Sequence, residues 1–255
     1  MINKKFEAIL FDFDGTLADT SFDMVNCLNI LLKKHSIPEV SSDVAKNYIS
    51  KGAGGLIDFS CPDLSENKRK AFISEYLNIY KENIFVKTHL FDGISEIIET
   101  LVVNSYKWGI VTNKPGYLVE PIIKMLNLYH QPHCLVSGDT LNVKKPSPEP
   151  LLYASKQLSC DPLLCAYVGD DIRDIRAANA AGMFSVAASY GFIKNKDHIK
   201  KWGSDYTINS PLDLKNLITL SKFLAFIIKQ NPTPQLKVFN ISLSLILFFF
   251  NHLNI

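Results

Sequence analysis

The chain has 255 residues, with 27 lysines and arginines against 25 aspartates and glutamates, for a formal net charge of +2. Hydrophobic residues make up 47% and charged residues 20% of the chain, which is ordinary for a globular protein and excludes a disordered or collagen-like chain. The small net charge, without a basic stripe, gives no indication of nucleic-acid binding.

The chain begins with MINKKFEAILFDFDG, which is too short and too soon acidic for a secretory signal peptide. Its five cysteines are scattered, and none belongs to a C-x-x-C pair. An odd, scattered set argues against a disulfide framework or a zinc site and favours a reducing compartment. We therefore expect a cytoplasmic protein.

Short apolar runs alternate along the chain with longer helical stretches. This pattern is typical of an α/β domain with a parallel sheet, and continuously apolar strands indicate a sheet covered on both faces, that is, a doubly wound one. The predicted strands are Ala8–Phe11, Trp108–Thr112, Cys134–Ser137, Ala166–Gly169 and Phe184–Ala187. The predicted helices between them are Ile94–Asn104, Tyr117–Asn127, Pro148–Leu158 and Asp171–Ala181.

The interval between the first two predicted strands is too long for one crossover, which needs only about a dozen residues. Within it, Ser21–His35 and Asn67–Asn83 carry apolar residues at helical spacing. We predict an α-helical subdomain at 19–87, inserted into a core domain formed by 1–18 and 88–220.

Residues 221–255 form a hydrophobic C-terminal tail of uncertain role. Its last part, 238–255, reads VFNISLSLILFFFNHLNI and contains no charged residue. This length reaches the lower limit of a membrane span, although Asn and Ser interrupt the run. A membrane anchor, an extra packed helix and an appended, poorly structured segment all stay open, and we expect membrane contact only through this tail.

The first chemical motif is FDFDGTLADT, which directly follows the first predicted strand. Alternation along a strand places Asp12 and Asp14 on the same side, so that their carboxylates can converge. Two close carboxylates repel each other and persist readily only with a cation or a shared proton, and oxygen-rich acidic clusters suit Mg²⁺. The alternative is a strand that ends in a solvated acidic turn.

Two further motifs suit an anionic substrate. In GIVTNKPG, the hydroxyl of Thr112 and the free backbone N–H groups beside it can bind phosphate oxygens, which makes Thr112 and Asn113 candidate phosphate-binding residues. In VKKPSPEP, Lys145 stands in a stiff, proline-rich turn and can supply a compact positive charge. Taken singly, such a threonine also fits a structural role, and such a lysine also fits a solvated surface.

The fourth motif is YVGDDIRDIRAANAAGM. Asp170 and Asp171 follow a predicted strand, and Asp174 lies one helical turn further, on the same face as Asp170. Capping of the helix by Asp170 or Asp171, with an acidic first turn, would explain one acidic residue better than three.

The four motifs together resemble those of the haloacid dehalogenase-like phosphatase superfamily, in the same order. The resemblance implies a Rossmann-like core with an α-helical cap. It implies that Asp12 is the nucleophile that becomes phosphorylated and that Asp14 is the general acid and base. Thr112 and Lys145 would hold the phosphoryl oxygens.

The same resemblance implies Mg²⁺ as cofactor. The metal would lie between Asp12, the backbone carbonyl of Asp14 and Asp170, with Asp174 as a ligand or as a partner of the ligands. The family usually has a small residue where this chain has Asp171, and the role of this extra carboxylate is open.

The predicted helical insertion resembles the cap that closes over the site and selects the substrate in this superfamily. Its segment YISKGAGGL is interpreted as a loop in which Lys51 and Gly52 contact the substrate, with an ordinary helix–helix connection as the alternative.

The segments SGDTLNVKKPSPEPLLYA and AGMFSVAASYGFI resemble phosphoglycolate phosphatases and also N-acetylmuramic acid 6-phosphate phosphatases.

We therefore expect a Mg²⁺-dependent phosphomonoesterase that acts on a small phosphorylated metabolite. A sugar phosphomutase of the same superfamily is an alternative within the enzyme class. A phospho-accepting receiver module is the alternative from another class, but in receivers the acidic pair precedes the accepting aspartate, and a large insertion has no use there. Oligomeric state stays open.

Overall fold

A computed structural model describes residues 6–193 and 196–219. Its main feature is a six-stranded sheet in the order β5-β4-β1-β6-β7-β8, in which all neighbouring strands are parallel. The predicted α/β class with a parallel sheet is confirmed. The strands are β1 (Ala8–Phe11), β4 (Lys107–Val111), β5 (Cys134–Val136), β6 (Cys165–Gly169), β7 (Phe184–Ala188) and β8 (Tyr206–Ile208).

The sheet carries helices on both faces, as its apolar strands indicate. Along β1, Ala8 and Leu10 pack into a cluster with α7 and α8, whereas Ile9 and Phe11 pack on the opposite face with α5 and α6. The helices are α5 (Ile94–Val103), α6 (Gly116–Met125), α7 (Glu149–Gln157) and α8 (Ile172–Ala180). The sequence predicts their bounds to within one or two residues.

Three short strands escape the sequence prediction. β8 is only three residues long, lies at the sheet edge and is partly exposed, so it lacks a sustained apolar run. β2 (Ala18–Asp19) and β3 (His89–Leu90) form a separate antiparallel pair. This pair lies where the chain leaves the core domain and where it returns.

Between β2 and β3 the described chain is helical. It contains α1 (Ser21–Lys34), α2 (Ser42–Ala45), a 3₁₀ helix (Lys46–Lys51), α3 (Gly52–Ser60) and α4 (Glu66–Glu82). The two predicted helices of this region are confirmed. We call residues 21–82 the helical insertion.

The expectation of a loop at YISKGAGGL is wrong. The segment is helical on both sides of Gly52, whose φ of 68° breaks the 3₁₀ helix from α3. Glycines disfavour a helix, but α3 buries Leu56 and Ile57 completely, and this packing outweighs the weak local preference.

The two ends of the helical insertion are fastened to each other by Asp23, near the start of α1. Its buried carboxylate accepts hydrogen bonds from the backbone N–H groups of Val86, Lys87 and Thr88 at 2.9–3.1 Å and from the Thr88 hydroxyl at 2.7 Å. A buried carboxylate satisfied in this way fixes the exit of the insertion beside its entry.

Among the described residues, no helix has the length and apolarity that a membrane crossing needs. The predicted tail at 221–255 lies outside the described residues, so its three interpretations stay predictions.

Candidate active site

The predicted site residues meet at the carboxyl edge of the sheet, where the strand order changes direction. Asp12 follows the central strand β1, Thr112 follows β4 on one side, and Asp170 follows β6 on the other. In open α/β sheets, ligands bind in the crevice at such a switch point. The sheet topology alone therefore brings together three residues that are far apart in the sequence.

The carboxylate of Asp12 is held through one of its two oxygens. Oδ1 accepts a hydrogen bond from the backbone N–H of Phe13 at 2.7 Å and lies 2.9 Å from Nζ of Lys145. Oδ2 receives no hydrogen bond within the described part of the chain. The side chain is 14% exposed, so Asp12 presents a fixed and reachable oxygen.

Lys145 lies inside the protein, and the interpretation as a solvated surface lysine is wrong. Its Nζ lies 2.9 Å from Asp12, 2.7 Å from Asp174, 3.0 Å from the Val111 carbonyl oxygen and 2.7 Å from the Tyr167 hydroxyl. Burial lowers the pKa of Lys145, but the carboxylates of Asp12 and Asp174 more than offset this, and the net shift is upward. Lys145 is therefore a buried, charged side chain that bridges two carboxylates.

A third carboxylate, that of Asp170, has no cationic partner among the described side chains. It is 2% exposed and accepts hydrogen bonds from the Thr16 hydroxyl at 3.2 Å and the Phe192 backbone N–H at 2.8 Å. Burial raises the pKa of Asp170 well above its ordinary value, and the charges of Asp12 and Asp174 add to this rise. A negative charge here requires a further positive charge nearby.

The arrangement of carboxylates fits a divalent cation. Oxygens of Asp12, Asp170 and Asp174 all lie within 4.8 Å of one another. Burial raises the pKa of Asp174 to about 6, although Lys145 acts in the opposite direction. Carboxylate oxygens are the ligands preferred by Mg²⁺ and Ca²⁺, and a cation among them would offset both the burial and the mutual repulsion that raise these pKa values.

The close approach of Asp170 to the first motif explains its glycine. Gly15 has a φ of 82°, and a Cβ atom built there would lie 2.2 Å from Oδ2 of Asp170. Only glycine fits both the backbone conformation and the space. The glycine of D-x-D-G-T therefore lets the loops after β1 and β6 pack against each other.

The carboxylate of Asp14 is not part of this cluster. It pairs with Nζ of Lys114 at 2.9 and 3.2 Å and accepts a hydrogen bond from the Thr20 hydroxyl at 2.7 Å. Lys114 also contacts the hydroxyl of Tyr80 in α4 at 2.8 Å. Metal binding by Asp14 stays a prediction that concerns its backbone carbonyl, because its side chain is engaged elsewhere.

Sequence reasoning missed Lys114 and Tyr80 as site residues. Lys114 stands two positions after Thr112 and could have been included on that ground, since the whole loop follows β4. Nothing in the local sequence marks Tyr80, because its contact depends on how α4 packs onto the core domain.

The two predicted phosphate-binding residues after β4 use their side chains differently. Thr112 is 4% exposed, and its hydroxyl accepts a hydrogen bond from the Lys114 backbone N–H at 3.3 Å. The Asn113 amide exchanges two hydrogen bonds, both 3.0 Å long, with the backbone of Lys145. Asn113 therefore holds the loop that carries the buried lysine, and its predicted phosphate contact would have to come from its backbone.

Asp171, whose role was open, is the N-cap residue of α8. Its Oδ1 accepts from the Arg173 backbone N–H at 2.9 Å, and Asp174 Oδ2 accepts from the Asp171 backbone N–H at 3.0 Å. The two aspartates thus form a reciprocal capping box. The capping interpretation is correct for Asp171. Asp170 and Asp174 belong to the acidic cluster, and Asp174 takes part in both the cluster and the cap.

Most of these groups line a cavity of about 320 Å³ between the core domain and the helical insertion, whereas Asp170 is not among its lining residues. Lys51 and Gly52 contribute to its wall, and their predicted contact with the substrate stays a prediction; Nζ of Lys51 lies 5.5 Å from the ring centroid of Tyr48. The predicted residues that line the cavity are Asp12, Asp14, Lys51, Gly52, Thr112, Asn113, Lys145 and Asp174.

Comparisons with known proteins agree with this geometry. Residues 9–188 match the family model of haloacid dehalogenase-like hydrolases. The chain is 34% identical over 215 residues to an N-acetylmuramic acid 6-phosphate phosphatase of Pseudomonas putida, covering 84% of this chain and 96% of that protein. It is 37% identical over 207 residues to a phosphoglycolate phosphatase of Xanthomonas campestris, covering 81% and 94%.

Solved structures show the same fold. The crystal structure of a predicted phosphoglycolate phosphatase from Haemophilus somnus superposes with a TM-score of 0.77 at 28% identity, covering 84% of this chain and 98% of that chain. A putative phosphoglycolate phosphatase from Lactobacillus delbrueckii gives a TM-score of 0.76 at 22% identity, covering 84% and 98%.

Proposed function

The chain belongs to the haloacid dehalogenase-like hydrolase family, and we propose that it is a Mg²⁺-dependent phosphomonoesterase that hydrolyses a small organic phosphate through an aspartyl-phosphate. Its named relatives are phosphatases, and the chain is an enzyme of that class. A cytoplasmic location is part of the proposal.

The observation that carries the proposed mechanism is that the two oxygens of Asp12 differ in their hydrogen bonds and ion pairs. Oδ1 is fixed by Lys145 and by the Phe13 backbone N–H, whereas Oδ2 has no partner within the described residues. A nucleophile needs one oxygen free to attack and a fixed orientation for the other. A purely structural aspartate would use both oxygens in hydrogen bonds, as Asp23 does.

In the first step, Asp12 would attack phosphorus, and a bond between its oxygen and phosphorus would form as the bond to the leaving oxygen breaks. Asp14 would donate a proton to that leaving oxygen. In the second step, water would attack the phosphorus of the aspartyl-phosphate while Asp14 takes its proton, which regenerates Asp12 and releases inorganic phosphate. Thr112 and Lys145 would hold the phosphoryl oxygens throughout.

The residues that would hold Mg²⁺ are Asp12, Asp170 and the backbone carbonyl of Asp14, with Asp174 as a ligand or as a partner of the ligands. When bound, the cation would supply the positive charge that lets the anionic carboxylate of Asp12 approach an anionic phosphate. Asp170 is suited to this task because it is buried and has no protein cation beside it in the described structure.

For the substrate, we propose a phosphate ester of a small organic acid. Phosphoglycolate and N-acetylmuramic acid 6-phosphate, which the names of the two relatives specify, both carry a carboxylate besides the phosphate. The cavity wall offers positive charge besides that of Lys145, since Lys51 and Lys144 line it and form no salt bridge within the described residues. Phosphoglycolate is the leading candidate, and the amino-sugar phosphate is the alternative.

The test is the replacement Asp12→Asn, which keeps the shape of the side chain and removes the nucleophile. Phosphate release from 2-phosphoglycolate and from N-acetylmuramic acid 6-phosphate with Mg²⁺ should fall by at least about 10³-fold, because no aspartyl-phosphate can form. Asp63→Asn, at an exposed position, is the matched control and should keep full activity.

Retained activity in Asp12→Asn would contradict the mechanism. Isomerisation of a sugar phosphate without phosphate release would instead establish a phosphomutase. A phosphorylated protein that persists for minutes without turnover would favour the receiver-like alternative.

A further inference from the structure

The side chains of Asp171 and Arg173 connect the core domain to the helical insertion. We infer that this pair clasps the segment Ser50–Gly52 over the cavity and thereby positions the residues that select the organic part of the substrate. The inference rests on the proposed phosphatase function, because it concerns which phosphate ester the same site accepts.

The first observation is that Asp171 does more than cap α8. Its Oδ1 accepts from the Arg173 backbone N–H at 2.9 Å and also from Nε of the same arginine at 2.7 Å. The cap alone needs only the backbone contact. The second contact fixes the direction of the guanidinium group, because a carboxylate–guanidinium pair has a defined planar geometry.

The second observation is where the guanidinium points. Its terminal NH₂ group donates a hydrogen bond to the backbone carbonyl of Ser50, 123 positions earlier in the chain. Ser50 belongs to the 3₁₀ helix of the helical insertion and is followed directly by Lys51 and by Gly52, at which the helix breaks. The contact therefore holds the end of this 3₁₀ helix, at the point where the backbone changes direction.

The third observation concerns the side chains that this contact positions. Ser50 lines the cavity, and its hydroxyl oxygen is buried without a hydrogen-bond partner in the described structure. Buried polar atoms are normally paired, so an unpaired hydroxyl at a cavity wall indicates a missing partner, such as a ligand or water. Lys51, the next residue, lines the same cavity and forms no salt bridge within the described residues.

A hydroxyl and an ammonium group in the wall of one cavity suit an anionic or polar group such as a carboxylate. Neither residue contacts Asp12 or Lys145, which face the phosphoryl position. The clasp therefore acts at the end of the substrate that does not react. Arg173 and Asp171 are positioning residues in this account, since they act through Ser50 and Lys51.

The experiment compares Arg173→Met, Asp171→Asn and their combination in the full-length protein. Arg173→Met keeps the apolar stem and removes the donors, whereas Asp171→Asn keeps a capping side chain and removes the charge that orients the arginine. Arg176→Met is the matched control, because Arg176 is exposed on the same helix. Arg173→Lys tests whether a positive charge without the guanidinium group is sufficient to hold the Ser50 carbonyl.

Kinetics are measured with 2-phosphoglycolate and with p-nitrophenyl phosphate, which lacks a carboxylate. Arg173→Met should lower kcat/KM for 2-phosphoglycolate by about tenfold or more, mainly through KM, since a hydrogen bond to a charged group is lost. The loss with p-nitrophenyl phosphate should be at least about threefold smaller. The double variant should be no worse than Arg173→Met alone, because the two residues form one unit.

Amide hydrogen exchange of residues 46–52 gives a readout that does not need catalysis. It should accelerate by about tenfold in Arg173→Met and stay unchanged in α4 and in the Arg176→Met control. Equal kinetic losses on both substrates, or unchanged exchange in residues 46–52, would overturn the clasp. If the wild-type protein released phosphate from none of 2-phosphoglycolate, p-nitrophenyl phosphate and N-acetylmuramic acid 6-phosphate, the proposed function would fail, and the exchange result would still decide whether Arg173 holds Ser50.

Discussion

The two walls of the cavity are built differently. On the sheet side, Lys145 has four polar partners, two of them carboxylates, and Asp174 accepts hydrogen bonds through both of its oxygens. On the side of the helical insertion, Ser50 has an unpaired hydroxyl, and Lys51 has an aromatic ring as its neighbour and no salt bridge within the described residues. On the sheet side, Lys145 and Asp174 are each held by several partners, whereas the insertion side offers donors that no described group uses.

This difference between the two walls fits two functions, phosphoryl transfer and selection of the substrate. Transfer of a phosphoryl group needs charges that are already oriented before the substrate arrives, and a network with several partners for each group provides this. Selection of the organic part of the substrate needs groups that are free to bind it. We therefore expect substitutions in the sheet-side wall to affect catalysis and stability together, and those in the insertion-side wall to affect mainly substrate preference.

The largest effect should come from Lys145→Met. Removal of this charge leaves Asp12 and Asp174 close together and unpaired, and breaking a buried ion pair typically costs about 3–5 kcal/mol in the free energy of unfolding. Phosphatase activity should fall by about 10³-fold, because both the support of Asp12 and a phosphate ligand are lost. Urea unfolding and phosphate release measure the two effects.

Lys156→Met is the matched control, because Lys156 is exposed, lies outside the cavity wall and forms no salt bridge within the described residues. It should leave the free energy of unfolding within about 0.5 kcal/mol of wild type. If Lys145→Met kept stability and activity within about tenfold of this control, the sheet-side wall would not be the pre-organised half of the site.

The next largest effect should come from Asp170→Asn, and its sign depends on Mg²⁺. Without the metal, this variant should be as stable as wild type or more stable, because it removes a buried carboxylate whose pKa is raised by burial and by its acidic neighbours. With excess Mg²⁺, wild type should gain about 2–3 kcal/mol at a hundredfold excess over Kd, and the variant should gain much less.

Thermal unfolding with and without Mg²⁺ measures this difference. Asp139→Asn is a useful control, because Asp139 is a carboxylate outside the acidic cluster and should leave the response to Mg²⁺ intact. An equal Mg²⁺ response in wild type and Asp170→Asn would show that the cation binds elsewhere.

The sheet-side wall was largely predictable from the sequence. Asp12, Thr112 and Asp170 each follow an apolar strand, and the rule that parallel strands bring their carboxyl ends to one edge places them together. The place of Lys145 could not be derived from its own proline-rich turn, which fits a surface position equally well. Only the family resemblance assigned it to the site.

The insertion-side wall was predicted much less well, for a physical reason. The sequence around Gly52 favours a loop, but helical packing of Leu56 and Ile57 overrides the glycines. The contacts of Tyr80 with Lys114 and of Arg173 with Ser50 cross from one part of the fold to the other. Periodicity reports which face of a helix is buried, and it does not report which polar atom that face meets.

The smallest effect should come from Tyr80→Phe, which tests where the two walls meet. The Tyr80 hydroxyl contacts Nζ of Lys114 at 2.8 Å, and Lys114 pairs with Asp14. Since Lys114 keeps both contacts to Asp14 in the variant, we expect only about a threefold loss in kcat and little change in KM. Steady-state kinetics with 2-phosphoglycolate measure this effect.

Tyr76→Phe provides the comparison, because the buried Tyr76 lies on the same helix and its hydroxyl donates to the Met24 carbonyl oxygen, inside the helical insertion. Both substitutions remove one buried hydroxyl, so both should cost a similar amount of stability, about 1 kcal/mol. Only Tyr80→Phe should lower kcat, since only its hydroxyl reaches the loop beside Asp14. If Tyr76→Phe lowered kcat as much, the effect would come from weaker packing of α4. The contact between the Tyr80 hydroxyl and Lys114 would then have no specific effect on catalysis.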